Sequence, residues 1–341
     1  MILFRADGNK ILGTGHIMRC LSIAEAIKKR GEECIFVCAD SNMKEVITSR
    51  GFECKVLETD FTKLDEEINL FTQADFFKEA KGIVFDSYYV TEKYLKTITS
   101  LKKTVYIDDY FTKMPLTAVV NYSIYADVQA YRNVYGEIMP RLFLGTAYAP
   151  LRSEFSTRDC IKVRDKISDV LILTGGADPF HIAKSFAEKI IAKKESGLKY
   201  HFVVGAMSMD YEAMKSYEKE CDYIIIHYNQ KDMKTLMMSC DMAVSAAGST
   251  QYELCSCGIP TINYTFADNQ KAGATAFFEK GIMETLGDVS ECKDFSEKIY
   301  SAIKKLADNP EKRRQMASEA KKVVDGRGAD RLAEELEKLF L

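Results

Sequence analysis

Short apolar runs alternate along this chain with longer segments whose apolar residues recur at helical spacing. The first run, residues 2–7, predicts a buried strand, and residues 16–30 predict a helix that ends before Gly31. Further strands are predicted over 34–40, 82–86, 104–109, 118–123, 141–145, 169–176, 200–206, 222–229, 241–248 and 260–266. Further helices are predicted over 43–51, 91–101 and 309–341, the last of them broken at 325–328. Strands that alternate with helices form a parallel sheet covered on both faces, so the pattern predicts an α/β protein.

The alternation stops once, in a charged stretch, and then begins again. We therefore predict a first Rossmann-like domain over residues 1–155, a linker over 156–168 and a second Rossmann-like domain over 169–325. Residues 326–341 are expected to form a C-terminal helix that packs back on the first domain. A length of 341 residues also favours two domains. In doubly wound sheets ligands bind beyond the carboxyl ends of the strands, so we expect a ligand in a central cleft that both sheets face.

Composition narrows the range of partners and compartments. The net charge is −3, from 50 acidic and 47 basic residues, and it implies no general attraction to nucleic acid or to an anionic membrane. The ten cysteines include no C-x-x-C pair and lie mostly in apolar runs, which indicates reduced thiols and a cytoplasmic protein. We find no signal-peptide pattern and no apolar run long enough to span a bilayer. We therefore expect no stable membrane association. We also expect a monomer.

The turn GTGHIMR, residues 13–19, carries the most distinctive candidate chemistry. Gly13 and Gly15 permit a tight turn and close approach of a ligand. His16 begins a helix, where the macrodipole disfavours the imidazolium, so a neutral imidazole can accept a proton. The alternative is that His16 only caps the helix. Arg5 and Asp7 end the preceding strand, and Arg19 lies one turn further along the same helix face. So many polar groups at one strand end favour a functional site over a purely structural one.

Two glycine-containing turns in the second half are candidates for binding a phosphorylated ligand. Gly175 and Gly176 follow a strand and precede a helix, although a plain tight turn explains them equally well. Gly248, Ser249 and Thr250 begin a helix after a buried strand, and the free N–H groups of such a helix start bind anions.

Glu253 has two interpretations that the sequence leaves open. It could accept hydrogen bonds from ribose hydroxyls beside a diphosphate at the helix start, or form a capping box with Thr250. Asn269 and Gln270 follow the next strand and offer two amides at the same rim. His227 ends another strand and either borders a base pocket or is a histidine satisfied within the fold.

Several motifs closely resemble those of the UDP-sugar hydrolases of the pseudaminic acid pathway. They are R-x-D with G-x-G-H-x-x-R near the N-terminus, D-S-Y at 86–88, Y-I-D-D at 106–109, G-T-A-Y-A-P-L-R-S-E-F at 145–155, T-G-G-A-D-P, G-S-T-Q-Y-E and D-N-Q. The first signature is shared with proteins of spore coat polysaccharide synthesis. The second-half motifs also occur in UDP-sugar glycosyltransferases, including the N-acetylglucosaminyltransferase of peptidoglycan synthesis. The resemblance covers nearly the whole chain and implies a GT-B type fold.

The resemblance implies cleavage of a UDP-activated 2,4-diacetamido-2,4,6-trideoxyhexose into UDP and free sugar, with His16 as the catalytic base. Asp7 is expected to position His16 or a sugar hydroxyl. The residues expected to contact the sugar or a phosphate oxygen are Arg5, Gly15, Arg19, Tyr88, Asp108 and Asp109, although loop capping is an alternative for both aspartates. UDP is expected on Gly175, Gly176, Gly248, Ser249, Thr250, Glu253, Asn269 and Gln270. No acidic cluster has metal-ligand spacing, so we expect neither a metal nor a cofactor.

Two other functions fit the same sequence. A glycosyltransferase would use the same UDP-sugar with a sugar or lipid acceptor in place of water. A non-catalytic nucleotide-sugar sensor would need only the second-half motifs, and the intact GTGHIMR turn argues against it.

Overall fold

The computed structural model describes residues 1–9, 11–157, 159–194 and 197–341. It divides the chain into two compact α/β units. The first contains Met1–Ser153 together with Arg327–Leu341, and the second contains Glu154–Gly326. Each unit is built around one parallel sheet with helices on its faces.

The first unit contains seven parallel strands. They are β1 (Ile2–Ala6), β2 (Cys34–Cys38), β3 (Glu53–Val56), β4 (Gly82–Asp86), β5 (Lys103–Ile107), β6 (Ala118–Asn121) and β7 (Arg141–Leu144). Their order in the sheet is β3-β2-β1-β4-β5-β6-β7. The direction of strand progression therefore reverses between β1 and β4, whose ends are in register at Ala6 and Asp86. Such a reversal is the point at which open α/β sheets bind their ligands.

Helices of the first unit cover this sheet. They are α1 (Gly15–Lys29), α2 (Lys44–Ser49), α3 (Leu64–Gln73), α4 (Asp75–Glu79), α5 (Glu92–Thr99) and α6 (Val128–Tyr135). Leu3, Phe85 and Leu95 are among the fully buried residues of the core that the strands form with α3 and α5. Apolar residues on both faces of the central strands explain their near-continuous hydrophobic runs in the sequence.

The second unit has six parallel strands in an equivalent arrangement. They are β8 (Asp169–Leu173), β9 (Lys199–Val204), β10 (Ile224–Tyr228), β11 (Met242–Ala246), β12 (Thr261–Thr265) and β13 (Met283–Asp288). Their order is β10-β9-β8-β11-β12-β13, so the reversal lies between β8 and β11. The helices are α7 (Ile182–Ala192), α8 (Tyr211–Glu220), α9 (Met233–Ser239), α10 (Thr250–Cys257), α11 (Asp268–Glu279), α12 (Phe295–Ala307) and α13 (Pro310–Val323).

The last helix, α14 (Gly328–Phe340), belongs to the first unit and packs on α1. Arg30 Nη2 donates to Glu337 Oε2 at 2.6 Å across this contact. Two glycines permit the close packing. A Cβ added at Gly82 would lie 2.1 Å from the Phe340 ring, and one added at Gly328 would lie 2.1 Å from a backbone oxygen. The chain thus returns to its first unit after completing the second.

The segment that the sequence analysis takes as a linker, 156–168, is bound to the second unit over its described part. Ile161 N–H donates to the Cys257 carbonyl at 3.0 Å, and Arg164 Nε donates to Asp241 Oδ1 at 2.5 Å. The buried guanidinium of Arg313 on α13 donates to the backbone carbonyls of Arg164 and Asp165. These bonds explain why a charged segment follows a fixed path.

The predicted fold class is confirmed, because both units are Rossmann-like with parallel sheets. Every strand predicted from an apolar run is present, whereas β3 and β13 were not predicted. Both are edge strands in which intermediate or exposed positions interrupt the buried ones. All ten cysteines lie in the described part of the chain and are free thiols. Among the described residues, no helix combines the length and apolar character needed to cross a membrane.

Candidate active site

The loop after β1 directs the start of α1 toward the reversal point of the first sheet. Asn9 and Gly13 pair through their backbones, and the Asn9 side chain accepts hydrogen bonds from the N–H groups of Ile11 and Leu12 at 2.9 Å. Gly13 has a φ of +74°, a conformation that glycine adopts without strain. Gly15 has ordinary dihedrals, and a Cβ added to it would meet open space. The turn is therefore tight at Gly13 and open at Gly15, next to His16.

His16 contacts the carboxylate of Asp86, the last residue of β4. Nδ1 of His16 lies 2.5 Å from Asp86 Oδ1, and both side chains are buried. Thr14 occupies the N-cap of α1, so His16 is inside the helix and does not act as its cap. The hydrogen-bond contacts of the ring to described residues all go to Nδ1, which leaves Nε2 for a ligand.

Arg19 holds the same carboxylate from the other side. Its Nε donates to Asp86 Oδ2 at 2.5 Å and its Nη2 to Asp86 Oδ1 at 2.6 Å. Nη1 and Nη2 also donate to Asp109 at 3.1 Å, and Nη1 donates to the Tyr122 hydroxyl at 2.9 Å. Arg19 was expected to bind sugar or phosphate oxygens. In this structure its guanidinium is occupied by these internal partners.

The ionisation of Asp86 determines the tautomer of His16. Burial raises the pKa of Asp86, but the charge of Arg19 and the contact with His16 outweigh burial and hold the pKa well below its usual range. An ionised carboxylate only accepts hydrogen bonds, so the proton in the short contact belongs to His16 Nδ1. In the neutral ring Nε2 then carries the lone pair, which is the state that a general base requires.

Tyr88 and Asp109 form the exposed border of this cluster. The Tyr88 ring lies edge-on to the His16 ring, with centroids 4.5 Å apart, and also contacts Tyr110. Its hydroxyl donates to Asp109 Oδ2 at 3.2 Å. Burial, and next the charge of Asp109, raise the pKa of the Tyr88 phenol, so it remains a donor. Tyr88 is 41% exposed, and the expectation that it and Asp109 contact the sugar stays a prediction.

The structure corrects the roles expected for Asp7 and Arg5. Asp7 Oδ1 accepts from the N–H of Ala39 at 2.7 Å, and Oδ2 accepts from Arg5 Nη1 at 2.5 Å. Arg5 is fully buried and makes two further bonds, of 2.7 and 2.9 Å, to Glu67 on α3. The carboxylate that orients His16 is thus Asp86 instead of Asp7. Arg5 joins β1 to α3, and its buried guanidinium is bound by Asp7 and Glu67.

Asp108 also departs from the expected sugar contact. It is fully buried, and its carboxylate accepts from the N–H groups of Tyr110 and Thr112 and from the Tyr131 hydroxyl, at 2.7 to 3.0 Å. Burial raises the pKa of this carboxyl, partly opposed by those hydrogen bonds. Asp108 therefore caps the loop after β5, which was the alternative that the sequence left open, while its neighbour Asp109 borders the cluster.

In the second unit the loop after β8 is a tight turn whose aspartate caps a helix. Gly175 has a φ of +86° and open space around it. Asp178 accepts from the N–H groups of Ile182 and Ala183 at 3.0 and 2.9 Å, at the start of α7. Gly176 is packed against the loop after β9, since a Cβ added at Gly205 would lie 2.3 Å from the Gly176 oxygen. The plain-turn interpretation accounts for this geometry, and Gly175 still has room beside it for a ligand.

The loop after β11 presents the start of α10. Gly248 and Ser249 are exposed, and a Cβ added at Gly248 would meet open space. Behind them, buried Gln251 donates from Nε2 to the Gly248 carbonyl at 3.3 Å and accepts from Asn263 Nδ2 of β12 at 3.0 Å. This pair of amides fixes the loop from below. The N–H groups at the helix start are thus presented at the surface on a supported turn.

The remaining predicted residues lie at the same edge of the second sheet. Ser249 takes the N-cap position, so Glu253 is the fourth residue of the helix, whereas the partner in a capping box is the third. Gln270 Oε1 accepts from the N–H of Phe266 at 3.0 Å, which leaves its amide N–H groups for a ligand. Asn269 is exposed in the first turn of α11. These placements keep a ribose role for Glu253 open.

Sequence reasoning missed Asp86, Gln251 and Asn263 as members of these sites. Asp86 had a visible signal, since it ends a continuous apolar run and begins the D-S-Y motif. The contact between Gln251 and Asn263 depends on the pairing of α10 with β12 and has no local signal. The described residues contain no group of three or more histidine, cysteine, aspartate or glutamate side chains placed to hold a metal ion. A reaction without metal remains a prediction.

The chain is similar, at low identity, to several known proteins. The glycosyltransferase family 28 C-terminal domain matches residues 170–332. The spore coat polysaccharide biosynthesis protein SpsG of Bacillus subtilis is 24% identical, covering 98% of this chain and 97% of that protein. The UDP-2,4-diacetamido-2,4,6-trideoxy-beta-L-altropyranose hydrolase of Campylobacter jejuni is 23% identical over 82% of this chain and 97% of its own length.

A Helicobacter pylori protein named as both pseudaminic acid cytidylyltransferase and that same hydrolase is 24% identical over 83% of this chain. This chain spans about half, 48%, of that relative. Among solved structures, the Acinetobacter baumannii MurG aligns over 99% of both chains with a TM-score of 0.65 and 13% identity. The Staphylococcus aureus MnaA–UDP structure aligns over 98% of this chain and 96% of its own with a TM-score of 0.67 and 12% identity. These structures support the GT-B type fold.

Proposed function

We propose that this protein hydrolyses a UDP-activated 2,4-diacetamido-2,4,6-trideoxyhexose to UDP and free sugar, in the synthesis of a nonulosonic acid or a surface polysaccharide. The observation that carries the proposal is the buried contact of His16 Nδ1 with Asp86 Oδ1 at 2.5 Å, which leaves Nε2 for water. The Campylobacter and Helicobacter relatives, both named as this hydrolase, support the choice of substrate and reaction.

In the proposed reaction Nε2 of His16 takes a proton from water while the water oxygen attacks the anomeric carbon. The bond from that carbon to the UDP oxygen breaks, and UDP leaves with the electron pair. Ser249 and Thr250, at the start of α10, offer backbone N–H groups to the negative charge that grows on the diphosphate, and Gly248, whose own N–H donates to the Ala246 carbonyl at 2.8 Å, leaves room for the diphosphate beside them. Because UDP is a good leaving group, the reaction needs no strong general acid. Glu253 is proposed to accept from the ribose hydroxyls.

The second candidate is a glycosyltransferase that uses the same donor and replaces water with an acceptor hydroxyl. The family 28 match over residues 170–332 favours it, as does the likeness to MurG. His16 would serve as the base in either reaction. The two candidates therefore differ in the acceptor and share the proposed roles of the residues.

One assay separates the candidates. Purified protein is incubated with a panel of UDP-sugars, with and without sugar or lipid acceptors, and the released UDP and the sugar products are measured. Release of UDP and free sugar without an acceptor, undiminished by EDTA, is the expected result. Release that requires an acceptor would make the protein a transferase, and binding of UDP-sugars without any release would make it a sensor.

A further inference from the structure

We propose that Arg19 is a positioning residue, which shares the Asp86 carboxylate with His16 and so keeps the Nε2 lone pair of a neutral imidazole available at neutral pH. The proposal rests on the proposed role of His16 as a base. Both side chains meet at one atom, because Asp86 Oδ1 accepts from His16 Nδ1 at 2.5 Å and from Arg19 Nη2 at 2.6 Å. Arg19 Nε takes the other oxygen at 2.5 Å.

This sharing has an electrostatic consequence. A histidine that faces a buried carboxylate alone is stabilised as the imidazolium, which cannot accept a proton from water. Here the guanidinium neutralises Asp86, and its Nη2 lies 3.3 Å from His16 Nδ1. A positive charge at that distance opposes a second positive charge on the ring. The Asp86 carboxylate then orients the His16 ring through Nδ1 without stabilising a second proton on Nε2.

Arg19 is itself held in place by groups from the other strand ends. The charged and titratable groups around Arg19 and His16 are Asp86 at the end of β4, Tyr88 beyond it, Asp109 after β5, Tyr122 after β6, and Cys20 on α1 itself. Asp109 carries the opposing charge and binds both terminal nitrogens at 3.1 Å. The guanidinium therefore lies between two carboxylates, Asp86 and Asp109. The more of its positive charge Asp109 neutralises, the weaker is its electrostatic effect on His16.

Two substitutions with opposite expected signs test this balance. Arg19→Met removes the positive charge and leaves both carboxylates, so the midpoint of the His16 titration should rise by about one to three pH units. Asp109→Asn removes a negative charge and leaves Arg19 to Asp86 alone, so the midpoint should fall. Arg19→Lys keeps the charge without the bidentate geometry, so its midpoint should stay near that of the wild type.

The readout is the pair of imidazole ¹⁵N chemical shifts of His16, followed from pH 5 to 9 in the free protein, where no turnover is needed. The matched control is Arg50→Met. It removes an exposed arginine after α2 that is paired at 3.1 Å with Glu25, a residue of α1 like His16. The Arg50→Met titration should coincide with the wild type. For active variants the acid limb of the UDP-release profile should move with the titration, so that Arg19→Met recovers activity as the pH rises.

A His16 midpoint that does not rise in folded Arg19→Met would overturn the proposal. If Arg19→Met does not fold, Asp109→Asn decides alone, and a midpoint that stays or rises overturns the proposal. A wild-type shift pattern with the proton on Nε2 instead of Nδ1 would also overturn it. Failure of the proposed hydrolysis looks different, because the wild type would then release no UDP from any donor while the His16 titrations still respond as expected.

Discussion

The two candidate sites occupy the same position in their sheets but are built from different groups. In the first unit, the reversal between β1 and β4 carries a histidine and three charged side chains that bind one another, namely His16, Asp86, Arg19 and Asp109. In the second unit, the reversal between β8 and β11 carries exposed glycine turns and a helix start, supported from below by the neutral amides of Gln251 and Asn263. The same fold thus provides two chemically distinct edges.

The difference follows from what each group can do. A buried network of opposite charges fixes a single proton arrangement, because every donor in it faces an acceptor. Backbone N–H groups at a helix start have no proton to exchange and bind an anion of fixed charge. In the proposed function, proton transfer therefore belongs to the first unit and diphosphate binding to the second. Substitutions in the first unit should affect turnover, and substitutions in the second should affect UDP affinity.

The largest expected effect is that of His16→Ala. Loss of a general base lowers turnover by roughly 10²–10⁴-fold, whereas UDP affinity should be nearly unchanged because the diphosphate is assigned to the other unit. UDP release and calorimetric UDP titration measure the two quantities. His201→Gln, in the second sheet, is the control and should retain turnover. An unchanged rate in His16→Ala would contradict the proposed mechanism. A loss of UDP affinity in the same variant would contradict the proposal that the two units carry separate roles.

The second test compares Asp86→Asn with Asp7→Asn. The amide that Asp86→Asn introduces can donate to Nδ1 of His16 and so favour the wrong tautomer, and turnover should fall nearly as far as in His16→Ala. Asp7→Asn weakens a buried bond to Arg5, which should cost about 1.5–3 kcal/mol of stability with turnover largely retained. Rates and denaturant melts of both variants provide the comparison. The opposite pattern would restore Asp7 as the residue that orients His16.

The contrast between Asp7 and Asp86 shows how far the sequence predicts such a site. His16 was predictable because a local signal, a glycine turn leading into a helix, marks it. Its partner lies 70 residues away on β4, which neighbours β1 only through a crossover of the sheet. Asp7 is nearer in the chain and ends the adjacent strand, but its carboxylate is occupied by Arg5 and Ala39. Partners of this kind depend on strand order, which no local pattern specifies.

The fold was more predictable than the site, for a related reason. Central strands are buried on both faces and give continuous apolar runs, so each of them was predicted. The edge strands β3, ECKV, and β13, METLGD, contain polar residues and give no such run, whereas the other two edge strands, β7 and β10, are mostly apolar in sequence and were predicted. Glu67 on α3 illustrates the limit, because its role as the buried partner of Arg5 is invisible in a stretch that reads as a polar helix face.

A smaller effect is expected for Glu253→Ala in the second unit. If the carboxylate accepts from ribose hydroxyls, UDP affinity should fall by about 1.5–3 kcal/mol, roughly ten- to a hundredfold in Kd, with little change in stability. Calorimetric UDP titration beside a denaturant melt measures both, and Glu279→Ala, at the far end of α11, is the control. A shifted melt with intact affinity would mean that Glu253 stabilises the helix start and that the ribose role is wrong.

The smallest expected effect concerns a polar cluster in the second sheet, to which we assign neither proton transfer nor diphosphate binding, only a contribution to stability. Asp169 Oδ1 contacts His201 Nε2 at 3.0 Å, and His201 Nδ1 contacts His227 Nε2 at 3.0 Å. The charged and titratable groups around His227 are His201, Asp169 beyond it and Glu218, whose carboxylate accepts from the N–H of Ile226 beside it. Burial, and next His201, lower the pKa of His227, and Glu218 opposes them in part.

The pKa of His227 in the folded protein lies below its ordinary value of about 6.5. As the pH falls below that value, the unfolded chain therefore binds a proton at His227 more readily than the folded protein does. The contribution of His227 to stability is therefore neutral at pH 7.5 and unfavourable at pH 5.5. His227→Gln removes this pH-dependent contribution to stability. Between pH 7.5 and 5.5 the melting temperature of the variant should therefore fall less than that of the wild type, at nearly unchanged turnover. His181→Gln controls for the loss of another histidine of the same unit. Equal losses in the wild type and His227→Gln would show that the cluster does not oppose protonation, and a large loss of turnover would bring this region of the second sheet into the reaction.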